Sequence, residues 1–199
     1  MQDYGQADAI QAQLGLTPEI GVKIAAIISF SGAIEHFLER ALWRLRGINP
    51  QGTKPDTDGK IITHLIGMLE EFGETLTDND QRTLVATWCK AARYGFVIRN
   101  NIAHGVPAKV GNTLTYARNP RWEGEERKRE FGDFWADLPT LDLVCEAMAV
   151  LYRSIANLSK DGQSLANVTN EETLKALRTA RSVLGEFASQ DYNPSFEKY

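Results

Sequence analysis

Residues 77–105, TDNDQRTLVATWCKAARYGFVIRNNIAHG, decide how the chain folds. Leu84, Trp88, Ala91, Gly95, Ile98 and Ile102 recur at three- and four-residue intervals, the period of one buried helix face, over a run too long for a strand. Thr77 with Asp80 predicts a capping box with Asp in place of the usual Glu, and Gly105 predicts a left-handed stop. Ala91 and Gly95 are small, so another helix can approach closely there, from the same chain or a second copy. The final turns differ. Arg99-Asn100-Asn101-Ile102-Ala103-His104-Gly105 crowds polar groups onto a helix end. Asn100 and Asn101 fall about one turn before His104, with Arg99 off to the side but within reach of a long side chain. Val97, Arg93 and Lys90 carry the same face backward, giving a basic stripe that ends in an imidazole. An anionic group fits such a stripe.

Upstream, Thr17-Pro18-Glu19 combines an N-cap, a proline at the first helical position and a first-turn acid. The helix it starts should run to about Gly47, with an apolar stripe from Ile20 through Ile27, Ile34, Leu38 and Leu42 to Leu45. Ser31 and Glu35 fall within or beside that stripe. A carboxylate there needs water at the stripe's edge or a partner. Arg99 across a helix interface is the functional choice, with Glu35 pairing with it or orienting it. Asn49 to Asp58 is a loop. Gly47 to Lys54 comes close to a phosphate-binding loop, but its Lys and Thr are reversed and no strand precedes it. A second helix follows from about Gly59 to Phe72. His64 lies off its stripe, as His36 does on the first helix, and both read as surface histidines without the neighbours of a metal site.

Downstream of Gly105 the period changes. Val106 to Val110, Gly111-Asn112 and Thr113 to Ala117 predict a short β-hairpin or ordered loop. Asn119 to Glu130 mixes charges of both signs around Trp122, which suits a solvated excursion. Helices are expected from Pro139-Thr140 to about Lys160 and from Asn170 to near Ser189. The fold class is therefore all-α, an antiparallel bundle of about five helices with a small hairpin-like insertion. Residues 1–16 form an N-terminal arm or one short helical turn, 17–188 a single helical domain, and 189–199 a mobile tail.

Composition narrows the function classes. The 199 residues are 43% hydrophobic, enough for one domain with a core of its own. A net charge of −4 argues against a broad surface that tracks long nucleic acid, while a local basic site stays open. Cys89 and Cys145 lie far apart in apolar helical patterns and read as buried, inert thiols. Asn157-Leu158-Ser159 and Asn167-Val168-Thr169 match the glycosylation pattern, which means little without a secretory route. The first residues lack a basic leader, and apolar runs such as AAIISF are too short to span a bilayer, so a cytoplasmic protein without a membrane partner is expected.

A cationic clamp, an amide and an imidazole suffice for one reaction. In RNA the neighbouring 2′-hydroxyl is the nucleophile, so a protein need only move protons and stabilise charge, without metal or other cofactor. His104 would be the acid or base, an effect of about 10² to 10⁴ in rate. Arg99 would hold the phosphate and Asn100 or Asn101 would position it, with Arg93 and Glu35 in support.

Arg99-Asn100 followed by His104 resembles the R-N-x-x-x-H form of the R-x4-6-H motif of the HEPN superfamily, nucleotide-binding domains of higher eukaryotes and prokaryotes. Its place at the end of a long helix in an all-α chain is also similar. The likeness spans about Thr17 to Gly105; the hairpin, the charged excursion and the last helices carry no motif. It implies a helical bundle, a homodimer with the motif helices at the interface, and metal-independent endoribonuclease activity in toxin-antitoxin or phage-defence systems. Arg99 and His104 would inherit the catalytic roles and Asn100 the polar motif position; Asn101 is not part of the pattern. An antitoxin or a nucleotidyltransferase is the kind of protein partner such domains take. The alternative is a non-catalytic dimer of the same type that binds nucleotide, RNA or a partner protein. Plain helix capping by these residues is the structural reading.

Overall fold

A computed structural model of the chain describes residues 5–121, 123–126, 128 and 131–189. The expected tail beyond Ser189, the first four residues of the arm, and Trp122, Arg127, Arg129 and Glu130 of the charged excursion lie outside them. The described residues form seven helices and one three-stranded sheet, in the order α1 (Ala7–Leu14), α2 (Pro18–Leu45), α3 (Ile62–Glu74), α4 (Asn79–His104), β1 (Val106–Val110), β2 (Thr113–Arg118), β3 (Gly132–Trp135), α5 (Leu138–Leu158), α6 (Leu165–Val168) and α7 (Glu171–Phe187). The mostly helical class with a small β insertion is as expected; the number of elements is larger.

Helix α2 begins where expected, with the Thr17 hydroxyl accepting from the Ile20 amide at 3.3 Å and Pro18 leading the helix. It buries Ile27, Ile34, Leu38 and Leu42 completely and packs mainly along α5. Ser31, also buried, satisfies itself by donating to the Ile27 carbonyl at 2.7 Å. The opposite face is open, with Val22 67% exposed. Helix α2 is also long and apolar enough to meet the length and composition of a membrane span, a property that the short run AAIISF did not suggest.

Helix α4 is the central element, packed against α3 on one side and α7 on the other. Its N-cap is Asp78 and not Thr77: the carboxylate accepts from the Gln81 amide at 2.8 Å. A carboxylate in that position also complements the positive end of the helix dipole. Trp88 is buried and donates its indole N–H to the Leu151 carbonyl of α5 at 3.1 Å. The small positions are filled from within the chain. A Cβ on Gly95 would lie 2.6 Å from the Met148 sulfur and near Leu184, so this face carries α5 and α7 and is closed to a second copy.

Three elements depart from expectation. Helix α3 starts three residues after Gly59, because Gly59 holds a left-handed φ of 71° that ends the preceding turn. The N-terminal arm contains α1, two turns long, stopped at Gly15 (φ 81°), and it packs beside β1. The insertion is a meander, not a hairpin: β3 adds to β2, and the sheet order is β1-β2-β3 with antiparallel pairs throughout. Leu114, Tyr116 and Phe134 lie on one face of this sheet and join the core. Both β2 and β3 pack against α4.

Candidate active site

The C-terminal end of α4 is clamped to the sheet through Asn101. That residue is 1% exposed, and its Nδ2 donates to the Asp133 carbonyl of β3 at 2.8 Å. Two glycines make the approach possible. A Cβ on Gly105 would fall 2.2 Å from the Asn101 carbonyl oxygen and 3.0 Å from the Tyr116 Cβ; one on Gly132 would fall 3.0 Å from the Asn101 Oδ1. Gly105 is thus required by space. Its φ of −81° and ψ of 154° are extended, so the expected left-handed cap does not form, and the chain leaves the helix directly into β1. The last helical link is the Gly105 amide to the Asn101 carbonyl at 2.8 Å.

This clamp fixes the exit of α4 and presents His104, its last residue, to solvent. The imidazole enters no hydrogen bond or ion pair among the described residues. Asn100 shares its side of the helix, at four residues' spacing. Arg99, partly buried, turns back to this side: its Nη1 donates to the Asn100 Oδ1 at 3.0 Å. Its Nε is buried without a partner among the described residues. The motif residues Arg99, Asn100 and His104 are therefore brought to one end of one helix, with the guanidinium and the amide already joined.

The supporting residues fare differently. Glu35 is partly buried on α2 but makes no ion pair or hydrogen bond with Arg99, so the expected pairing is not formed. Being beside the apolar stripe did not oblige that carboxylate to bind a cation, since partial exposure keeps it hydrated. Arg93 is bonded to Glu70 of α3 (Nη2 to Oε2, 2.6 Å). It also lies about 16 Å along the axis from His104 at 1.5 Å per residue, so it belongs to the α3–α4 contact and not to the site. Asn101 is a structural clasp, as its burial requires. His36 and His64 are exposed and remote in sequence from this end. His64 instead lines a cavity of about 700 Å³ with Arg46, Asp56, Lys60 and Phe72.

Electrostatics around the clasp are set by burial. Asp133 has its carboxyl pushed up from 3.8 by desolvation, partly offset by the Trp135 indole N–H that donates to it at 3.2 Å. The Tyr116 phenol is likewise pushed up by burial, which keeps it neutral. Among the described residues, no three His, Cys, Asp or Glu side chains converge as metal donors would.

Arg118 is the residue the sequence did not signal. It ends β2 opposite Gly132 in the register, one residue beyond Ala117, whose partner on β1 is Val106. Only the pairing of β2 with β3 brings it to Gly132, which packs on Asn101 at the exit of that helix. Compared with known protein families, characterised proteins and solved structures, the chain matches none.

Proposed function

We propose that this chain is a metal-independent endoribonuclease of the HEPN type, acting through Arg99, Asn100 and His104. The observation that carries the reading is the bonded Arg99–Asn100 pair one turn before an exposed imidazole at the end of the central helix. In the proposed reaction the ribose 2′-oxygen forms a bond to phosphorus while the bond from phosphorus to the 5′-oxygen breaks. The 2′-hydroxyl proton passes to a base, and His104 as imidazolium gives a proton to the departing oxygen. Arg99 and the Asn100 amide hold the non-bridging oxygens, where charge builds.

One chain offers one such imidazole, and the reaction uses an acid and a base. A homodimer provides both if the outward face of α4, running through Arg93, Val97, Asn100 and His104, lies near a twofold axis. The buried face with Ala91 and Gly95 takes no part. A toxin-antitoxin or phage-defence setting, with an antitoxin or nucleotidyltransferase as partner, belongs to the same reading.

The test is chemical. Wild-type protein with a chelator present should cut RNA to fragments ending in 2′,3′-cyclic phosphate and leave the fully 2′-O-methylated strand intact. Cleavage of the methylated strand, or fragments without cyclic ends, would refute the mechanism. One observation favours a second reading, a dimer of this type that binds nucleotide, RNA or a protein without cutting: no side chain among the described residues orients the His104 ring. Binding without fragments in the same assay would select it.

A further inference from the structure

Three polar atoms among the described residues are buried without a partner: the Arg99 Nε, the Asn101 Oδ1 and the Arg118 Nε. All three belong to one region, the exit of α4. Arg118 pairs with Gly132, whose Cβ position lies 3.0 Å from the Asn101 Oδ1, and it follows Ala117, the partner of Val106 at the start of β1. A residue directly opposite in such a ladder is about 5 Å away, so the Arg118 backbone lies one strand from the glycine that approaches Asn101. Its side chain points to the α4 side of the sheet, as Tyr116 two residues earlier does. Arg118 is half-sheltered, and its side chain has neither a hydrogen bond nor a carboxylate partner among the described residues, whereas Arg44, Arg46 and Arg93 are each paired with an acid. A partly desolvated guanidinium without a counter-charge is costly, and an anion placed there offsets the cost.

We propose that Arg118 binds a second backbone phosphate, so that the substrate is a single-stranded polynucleotide held on both sides of His104. This rests on the RNA-cleaving reading above. The Arg99 guanidinium is joined to Asn100, whereas Arg118 is placed beside Asn101 through Gly132, and these two positions are about 100° apart on α4, so the two arginines reach the helix end on different faces. One phosphate cannot readily serve both. Arg99 takes the phosphate at the cut and Arg118 its neighbour along the strand. The meander thereby gains a role: it carries the second clamp and fixes it to the helix end through Gly105 and Gly132.

The experiment measures binding of a short fluorescent single-stranded RNA over a range of salt, in a His104→Ala background that leaves the strand uncut. Each phosphate contact contributes about 0.7 to the slope of log affinity against log salt for single strands. Arg118→Gln should reduce the slope by about that amount and weaken binding about tenfold at low salt, and Arg118→Lys should restore most of the slope because it keeps the charge. If Arg118→Gln lowers the melting temperature but leaves the slope unchanged, Arg118 merely braces Asn101 and the proposal is overturned while the RNA reading stands. If His104→Ala protein binds no RNA and wild type cuts none, the RNA reading itself fails and takes this proposal with it.

Discussion

Gly105→Ala isolates the junction on which the site is built. At an ordinary glycine with negative φ the change stabilises by about 0.4 to 1 kcal/mol, because the unfolded chain loses freedom. Gly105 has such a φ, −81°, so backbone strain gives no reason to expect harm. Packing gives one. The new methyl would lie 2.2 Å from the Asn101 carbonyl oxygen and 3.0 Å from the Tyr116 Cβ. The first of these is backbone already engaged with the Gly105 amide, so it cannot move without loosening the last bond of α4. Overpacking of this kind costs about 1 to 3 kcal/mol, which outweighs the entropic gain. Net of that gain the loss is up to about 2.6 kcal/mol, and for a chain of this length the melting temperature falls by about 2 to 4 °C per kcal/mol, so a drop of up to about 10 °C is expected. Gly67 in α3 is the control, since nothing lies within 4 Å of its Cβ position. Gly67→Ala should raise stability by about 0.5 to 1 kcal/mol. Thermal and urea unfolding of the two variants decide the matter. Equal stabilisation by both would refute the steric argument and free Gly105 from any role in placing His104.

Two further outcomes follow from burial. Asp133 has a folded-state pKa raised above 3.8, so its ionisation opposes folding: its contribution to stability is greatest below 3.8 and declines as pH rises through the raised value. Urea unfolding of wild type and Asp133→Asn should therefore show the variant gaining relative stability from acid to neutral pH, and a gain in the other direction contradicts the sign. Cys89, with its thiol pushed up to about 12 by burial, should resist iodoacetamide at mildly alkaline pH in the folded protein and react once unfolded in urea. Full labelling of folded Cys89 would show that the α3–α4 contact opens freely.

What the sequence revealed and what it hid have a common cause. Helices α2 and α4 were legible because each combines a cap, a long 3.6-residue period and a core to face. Helix α1 buries none of its residues, so no stripe marks it. Strand β3 is four residues long and abuts a charged excursion; only its pairing with β2 makes it a strand. At the site, Arg99, Asn100 and His104 could be read because one helix carries all three within six positions. Arg118 and Gly132 could not, since their approach to Asn101 depends on strand register across the insertion. Glu35 is the opposite case: a carboxylate beside an apolar stripe invites a partner in the sequence, and its partial exposure makes one unnecessary. The left-handed cap at Gly105 failed similarly, because a glycine at a helix end can answer to a crowded neighbour as well as to φ.

The central claim is that His104 transfers a proton during RNA cleavage without a metal. Purified wild-type protein and His104→Ala, matched in melting temperature, should be incubated with bulk RNA in excess chelator. Wild type should degrade the RNA and His104→Ala should fall by about 10² to 10⁴ in rate. Equal rates for the two proteins, or activity that vanishes with the chelator and returns with added metal, would contradict it.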